Sequence, residues 1–200
     1  MAPEVPLTGR LPAAESSPLD DDQATLARQL HRLAVPWAEQ AGFAGTDDEG
    51  HLIGPWNVLV HRPALANGFN AWVLAEQTYS SLTPTVRETV ILTVSVAWSA
   101  PYAIYSHTAA ARTAGLSDEA IGDLLEPPAR DHLSADELAA HRFADELVRT
   151  HAVTSASYDR AVTAFGTAGV IDLTHLVGIY LGTCALLGAF SIPAPDQPAS

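Results

Sequence analysis

An all-α domain of about seven or eight helices is what this sequence predicts, and three observations carry the prediction. Apolar residues recur at helical spacing over long stretches. Those stretches are bounded by helix punctuation: Ser or Thr caps and first-turn prolines at their starts, glycines at their ends. Nothing in the chain reads as a strand or as an internal repeat. We divide the 200 residues into an N-terminal arm (1–22), one helical domain (23–192) and a C-terminal tail (193–200).

Taken in order, Met1 to Asp22 is rich in Pro, Ala, Ser and acid, and reads as an extended or disordered arm able to wrap a neighbour. Gln23 to Gly42 has helical spacing at Leu26, Leu30, Leu33, Trp37 and Ala38, with Pro36 expected to kink it or end its regular part. Gly45 to Gly50 is an acidic turn, and Gly54-Pro55-Trp56-Asn57 reads as a loop entering a helix from Pro63 to Tyr79. Thr83-Pro84 is an N-cap with a first-turn proline, opening a helix through Trp98 that is apolar on every side and so predicted to be fully buried. Pro101 begins the next helix, and Gly115 suits its C′ position.

Ser117 caps a short helix that Pro127-Pro128 ends. Ser134 and Glu137 form a capping box for a helix to about His151. Ser155 to Phe165 is closed by Gly166, and the last helix, Gly169 to Phe190, is the most apolar run. Its uncharged part approaches the length needed to span a membrane. Asp172 and His175 at its start, Thr183 and three glycines inside it, and the lack of flanking basic residues read instead as a core or subunit-interface helix.

Bulk properties narrow the function. The hydrophobic content of 48% supports one domain with a real core, or a subunit sharing its core with copies of itself. A formal charge of −13 argues against nucleic acid and anionic membrane surfaces as partners. All ten basic residues are Arg, which removes lysine Schiff bases, pyridoxal-phosphate anchoring and a Walker-type phosphate loop. The lone Cys184 excludes an intramolecular disulfide framework and reads as a packing thiol. Since the start lacks a secretory signal, a cytoplasmic location is expected.

Chemistry concentrates in Arg87–Gly115. Glu88 and Arg87 are the only charges of their helix, and an unpaired buried carboxylate is too costly to keep. His107 stands on a stripe of small residues, Ala100, Ala103, Ala110, Ala111 and Ala114, where a small-molecule space is possible. Structurally, the pair reads as a carboxylate tied to a neighbouring helix and a satisfied core histidine; functionally, as an acid/base pair. Glu137, His141 and Asp145 share a helix face, and Asp172 and His175 another, yet a solvated face and a missing third ligand leave no metal assigned. Trp98 and Tyr102 bracket the turn between the two helices and, with Trp56 or Asn57, could line a pocket beside His107.

These residues carry a resemblance. Arg87-Glu88, Pro101-Tyr102, Tyr105-Ser106-His107 and Thr113-Ala114-Gly115-Leu116-Ser117 resemble the core of the carboxymuconolactone decarboxylase and alkylhydroperoxidase D superfamily. Gly54-Pro55-Trp56-Asn57 and His61-Arg62-Pro63-Ala64-Leu65 resemble its upstream segments, and Ser134 to Leu147 its following helix, so the likeness spans about Gly54 to Ile192. The peroxidase branch carries two cysteines where this chain has Ala100 and Ala103; without both sulfurs the thiol–disulfide reaction cannot run. The chain therefore resembles the cysteine-free, decarboxylase-like branch, although many such relatives have Glu where Ala103 stands.

The resemblance implies the alkylhydroperoxidase D-like fold, a cofactor-independent lyase acting by acid/base chemistry on a small lactone, keto acid or enolisable carboxylate, and self-assembly into trimers, hexamers or a dimer. The alternatives are an isomerase or hydrolase tailoring a natural product, or an inactive ligand-binding oligomer. His107 is expected as general acid/base, Glu88 as its orienting partner or a second acid/base, and Tyr102 or Tyr105 as donor to an oxyanion. Trp56, Asn57, His61, Arg62, Arg87 and Trp98 are expected to contact substrate, with Arg62 or Arg87 holding a carboxylate.

Overall fold

The computed structural model describes residues 6–126 and 131–195, and within them the chain forms eight α-helices and one 3-10 turn, Ala14–Ser16. The helices are α1 (Asp21–Ala41), α2 (Gly54–Val60), α3 (Pro63–Tyr79), α4 (Pro84–Ala97), α5 (Pro101–Ala114), α6 (Asp118–Leu125), α7 (Ala135–Thr150) and α8 (Ser155–Ala189). Helix α4 is the centre: it packs against α5, α6, α7 and α8, which is why its sequence is apolar all round. Val86, Val90, Ile91, Leu92 and Val94 are buried there. Its buried hydroxyls find partners inside the helix, Thr89 donating to the Thr85 carbonyl (2.9 Å) and Ser95 to that of Ile91 (2.7 Å).

Capping explains most boundaries. Thr83 accepts from the Val86 N–H, Ser117 from Ala120, and Ser134 from Glu137, whose carboxylate returns to the Ser134 N–H. Gly115 takes the left-handed conformation that closes α5. Gly166 (φ 66°, ψ 175°) breaks α8 where the sequence places the end of one helix and the approach to another; any side chain there would be strained. The Pro127-Pro128 stop lies outside the described residues, as do 1–5 and 196–200.

Three segments differ in detail from the sequence reading. Helix α1 runs through Pro36 to Ala41 and starts at Asp21, where Asp20 and Gln23 make a capping box. Gly54–Val60 is a helix, not a loop. Pro55 sits in its first turn, while Gly54 enters with φ 63° against Tyr102, so closely that a Cβ would lie 2.3 Å from the ring. The described part of the N-terminal arm, residues 6–20, lies on its own chain. The Arg10 N–H donates to the Phe190 carbonyl (2.8 Å), Ala14 is buried, and Glu15 accepts from the Leu52 N–H (2.8 Å) and meets His31 (2.9 Å).

Candidate active site

Glu88 projects from α4 and His107 from α5, and the packing of the two helices brings Oε2 to 2.8 Å from Nδ1. A carboxylate can only accept, so in the neutral imidazole Nδ1 carries the proton and Nε2 is left as an acceptor. That second nitrogen meets the hydroxyl of Tyr180, on α8, at 3.0 Å, with the two rings edge to face at 5.0 Å. Burial, then the nearby Glu88 charge, pushes the Tyr180 phenol well above its ordinary pKa. The hydroxyl thus stays protonated and donates, giving a hydrogen-bonded chain Glu88–His107–Tyr180.

His107 and Tyr180 line a cavity of about 570 Å3 between α5, α8 and the inner faces of α1, α2 and α3. Trp37, Phe43, Trp56, Tyr102 and Ala103 also line it, and Trp37 stands with its ring 6.2 Å from the His107 ring. Cys184, the chain's lone thiol, is buried, and burial raises its pKa to about 11. It is not a nucleophile at neutral pH.

The remaining expected residues go to different places. Trp56 reaches the cavity wall. Asn57 instead accepts from the Ala14 N–H (2.8 Å) and donates to the Pro12 carbonyl (3.2 Å), which His61 Nε2 also meets (3.2 Å), so both hold the N-terminal segment. Tyr102 contributes its ring to the cavity wall and Tyr105 does not line it; Tyr102 donates to the Ala44 carbonyl (2.9 Å) and Tyr105 accepts from the Ala44 N–H (3.0 Å). Burial pushes the Tyr102 phenol pKa up as well.

Arg87 is closed on the carboxylate of Glu76, Arg62 is exposed at the entry to α3, and Trp98 is 44% exposed on the surface; none of the three lines the cavity. The two candidate metal faces are divided among other partners. His141 meets Thr93 (2.8 Å), Asp145 pairs with Arg149 and Glu137 caps α7; Asp172 accepts from Ser81, and His175 from the Trp72 indole. Sequence reasoning missed Tyr180 and Trp37 as site residues. Tyr180 lies 73 residues from His107 in an apolar run where an aromatic reads as core.

Residues 63–146 match the carboxymuconolactone decarboxylase family. Solved structures cover almost the whole chain. An uncharacterized peroxidase-related protein of Ralstonia eutropha JMP134, described as an alkylhydroperoxidase AhpD core, is similar at TM-score 0.73 and 16% identity, covering 94% of this chain and 93% of its own. Another, from Silicibacter sp. TM1040, reaches TM-score 0.74 at 17% identity, covering 98% and 96%. The debrominase Bmp8, in a complex with 2,3,4-tribromopyrrole, gives TM-score 0.70 at 15% identity, covering 94% of each chain. No curated protein matches the chain. Over residues 63–146 the chain is thus similar to the carboxymuconolactone decarboxylase family, and its fold is that of the AhpD-like structures.

Proposed function

We propose that this protein is a cofactor-independent enzyme that moves a proton at an enolisable carbon of a small carbonyl or lactone compound. The observation that carries the reading is the chain Glu88–His107–Tyr180, which ends on the wall of a cavity of small-molecule size. In the structure the Tyr180 hydroxyl caps Nε2. A substrate carbonyl oxygen that takes over this donor frees the Nε2 lone pair to remove the α-proton. The C–H electrons pass into the enolate, Tyr180 donates to its oxygen, and Glu88 stabilises the imidazolium through Nδ1–H. Returning the proton to another carbon completes an isomerisation; a lyase that releases carbon dioxide delivers a proton to the same kind of enolate.

Tyr180 thus takes the oxyanion role expected of Tyr102 or Tyr105, because the Tyr102 hydroxyl donates to Ala44 and Tyr105 does not line the cavity. We place the protein in the cytoplasm as a homo-oligomer, with exposed apolar residues such as Leu65, Leu74 and Ile171 as candidate contacts between copies. The test is hydrogen–deuterium exchange into enolisable ring ketones and lactones, followed by NMR. Exchange accelerated by the wild type and lost in His107→Ala and Tyr180→Phe is expected; acceleration that survives His107→Ala refutes the assignment.

A further inference from the structure

We infer that the cavity takes an uncharged ring compound whose carbonyl meets Tyr180, and excludes carboxylates. The inference rests on reading this cavity as the active site. Among the described residues, none of the cavity's lining side chains is Arg, and the chain has no Lys. The two arginines best placed by sequence to hold a carboxylate are elsewhere, Arg87 on Glu76 and Arg62 in solvent. The nearest formal charge to the inner end is negative: the Glu88 carboxylate, directly behind His107. An anionic ligand would lose its hydration, gain no cation, and place a second negative charge beside the first.

The polar atoms around His107 set where a ligand carbonyl can bind. Ser106 and Thr183 line the cavity, but both hydroxyls donate to helix carbonyls, Ser106 to Tyr102 (2.9 Å) and Thr183 to Ile179 (3.0 Å). Beside His107 the exchangeable pair Tyr180 O–H and His107 Nε2 offers a ligand one donor and one acceptor at a single spot, while the indoles of Trp37 and Trp56 and the Asn70 amide lie elsewhere in the lining. Around it the walls are flat and aromatic: Phe43 stands 5.2 Å from Trp37 and 6.3 Å from Trp56, centroid to centroid. Such walls favour a ring over a flexible chain. The outer rim carries Gln29 and Gln77, uncharged amides in solvent. A substrate without a carboxylate has no carbon dioxide to lose, so the inference selects isomerisation or lactone chemistry over decarboxylation.

The experiment uses one ring with and without a carboxylate: 1-indanone and 3-oxoindane-1-carboxylate, titrated calorimetrically into the full chain. The ketone should bind at least about tenfold more tightly. Trp56→Ala should weaken the ketone, and Glu88→Gln should improve the carboxylate by removing the opposing charge. Equal or tighter binding of the carboxylate to the wild type, or no binding of either probe, overturns the inference. Deuterium exchange at C2 of the bound ketone is read separately. Selective ketone binding with no exchange dependent on His107 leaves the ligand class standing and removes the acid/base reading instead.

Discussion

Arg87 and Glu88 are neighbours on α4, and the structure gives them different partners. Arg87 reaches back to Glu76 of α3, whose side chain is only 3% exposed, and the two charges close on each other. Glu88 meets His107 of α5, and the path continues through the imidazole to Tyr180 and the cavity. The closed pair neutralises a buried carboxylate and offers nothing to a ligand. The open chain leaves its last donor where a small molecule can reach it. Adjacent charges in one buried helix thus divide into a structural and a chemical role according to what stands beyond the first partner.

The largest expected effect breaks the closed pair. Arg87→Met strands the Glu76 carboxylate in the interior and should cost about 3–5 kcal/mol, read as a lower denaturation midpoint. The double variant Arg87→Met with Glu76→Leu should recover most of that loss. A double variant as unstable as the single one would show that the pair does more than neutralise Glu76.

Glu88→Gln acts on the open chain and should show the opposite pattern. Proton transfer should fall by about 10²–10⁴-fold while stability changes by about 1 kcal/mol, because the amide oxygen still accepts from Nδ1–H. A loss of stability as large as that of Arg87→Met would make Glu88 a structural residue. Tyrosines repeat the contrast on a smaller scale. Tyr102→Phe should cost about 1–3 kcal/mol by leaving the Ala44 carbonyl without its donor. Tyr180→Phe should cost less stability and more activity.

The smallest effect is alkaline. The Cys184 thiol ionises near 9.0 in an unfolded chain and near 11 in the fold, so between those values the unfolded state binds fewer protons. Its contribution is whole below pH 9 and is lost as pH rises toward 11, with Tyr180 adding the same sign from pH 10 upward. Melting curves across pH 8–11 should show a gradual decline in this window, and Cys184→Ala should flatten its first part.

Sequence reading reached furthest where local chemistry decides. The Thr83-Pro84 start, the Gly115 end, the Ser134 capping box and the Gly166 break were all legible because each depends on residues within one turn. The Glu88 and His107 pair was legible as an oddity, two polar groups on otherwise apolar or small faces. Helix α2 was not, because Gly54-Pro55 carries turn signals that a single short helix absorbs in its first residues. Hydroxyl directions were out of reach: periodicity places the Tyr102 and Tyr105 rings but says nothing of Ala44, some sixty residues away. Arg87 and Glu76 meet across a helix–helix corner, and Tyr180 meets His107 with two helices between them in the chain, so neither contact leaves a mark in spacing.

The hydrogen bond from Arg10 to Phe190 has a consequence for the topology. The chain between residue 10 and residue 190 thus begins and finishes at one spot, so the backbone is close to a closed ring. A short glycine–serine tether joining the two ends, with new termini opened at the exposed His151–Ala152 connection between α7 and α8, should therefore give a circular permutant. Such a permutant would keep α4 and α5 contiguous, and with them the covalent link between Glu88 and His107.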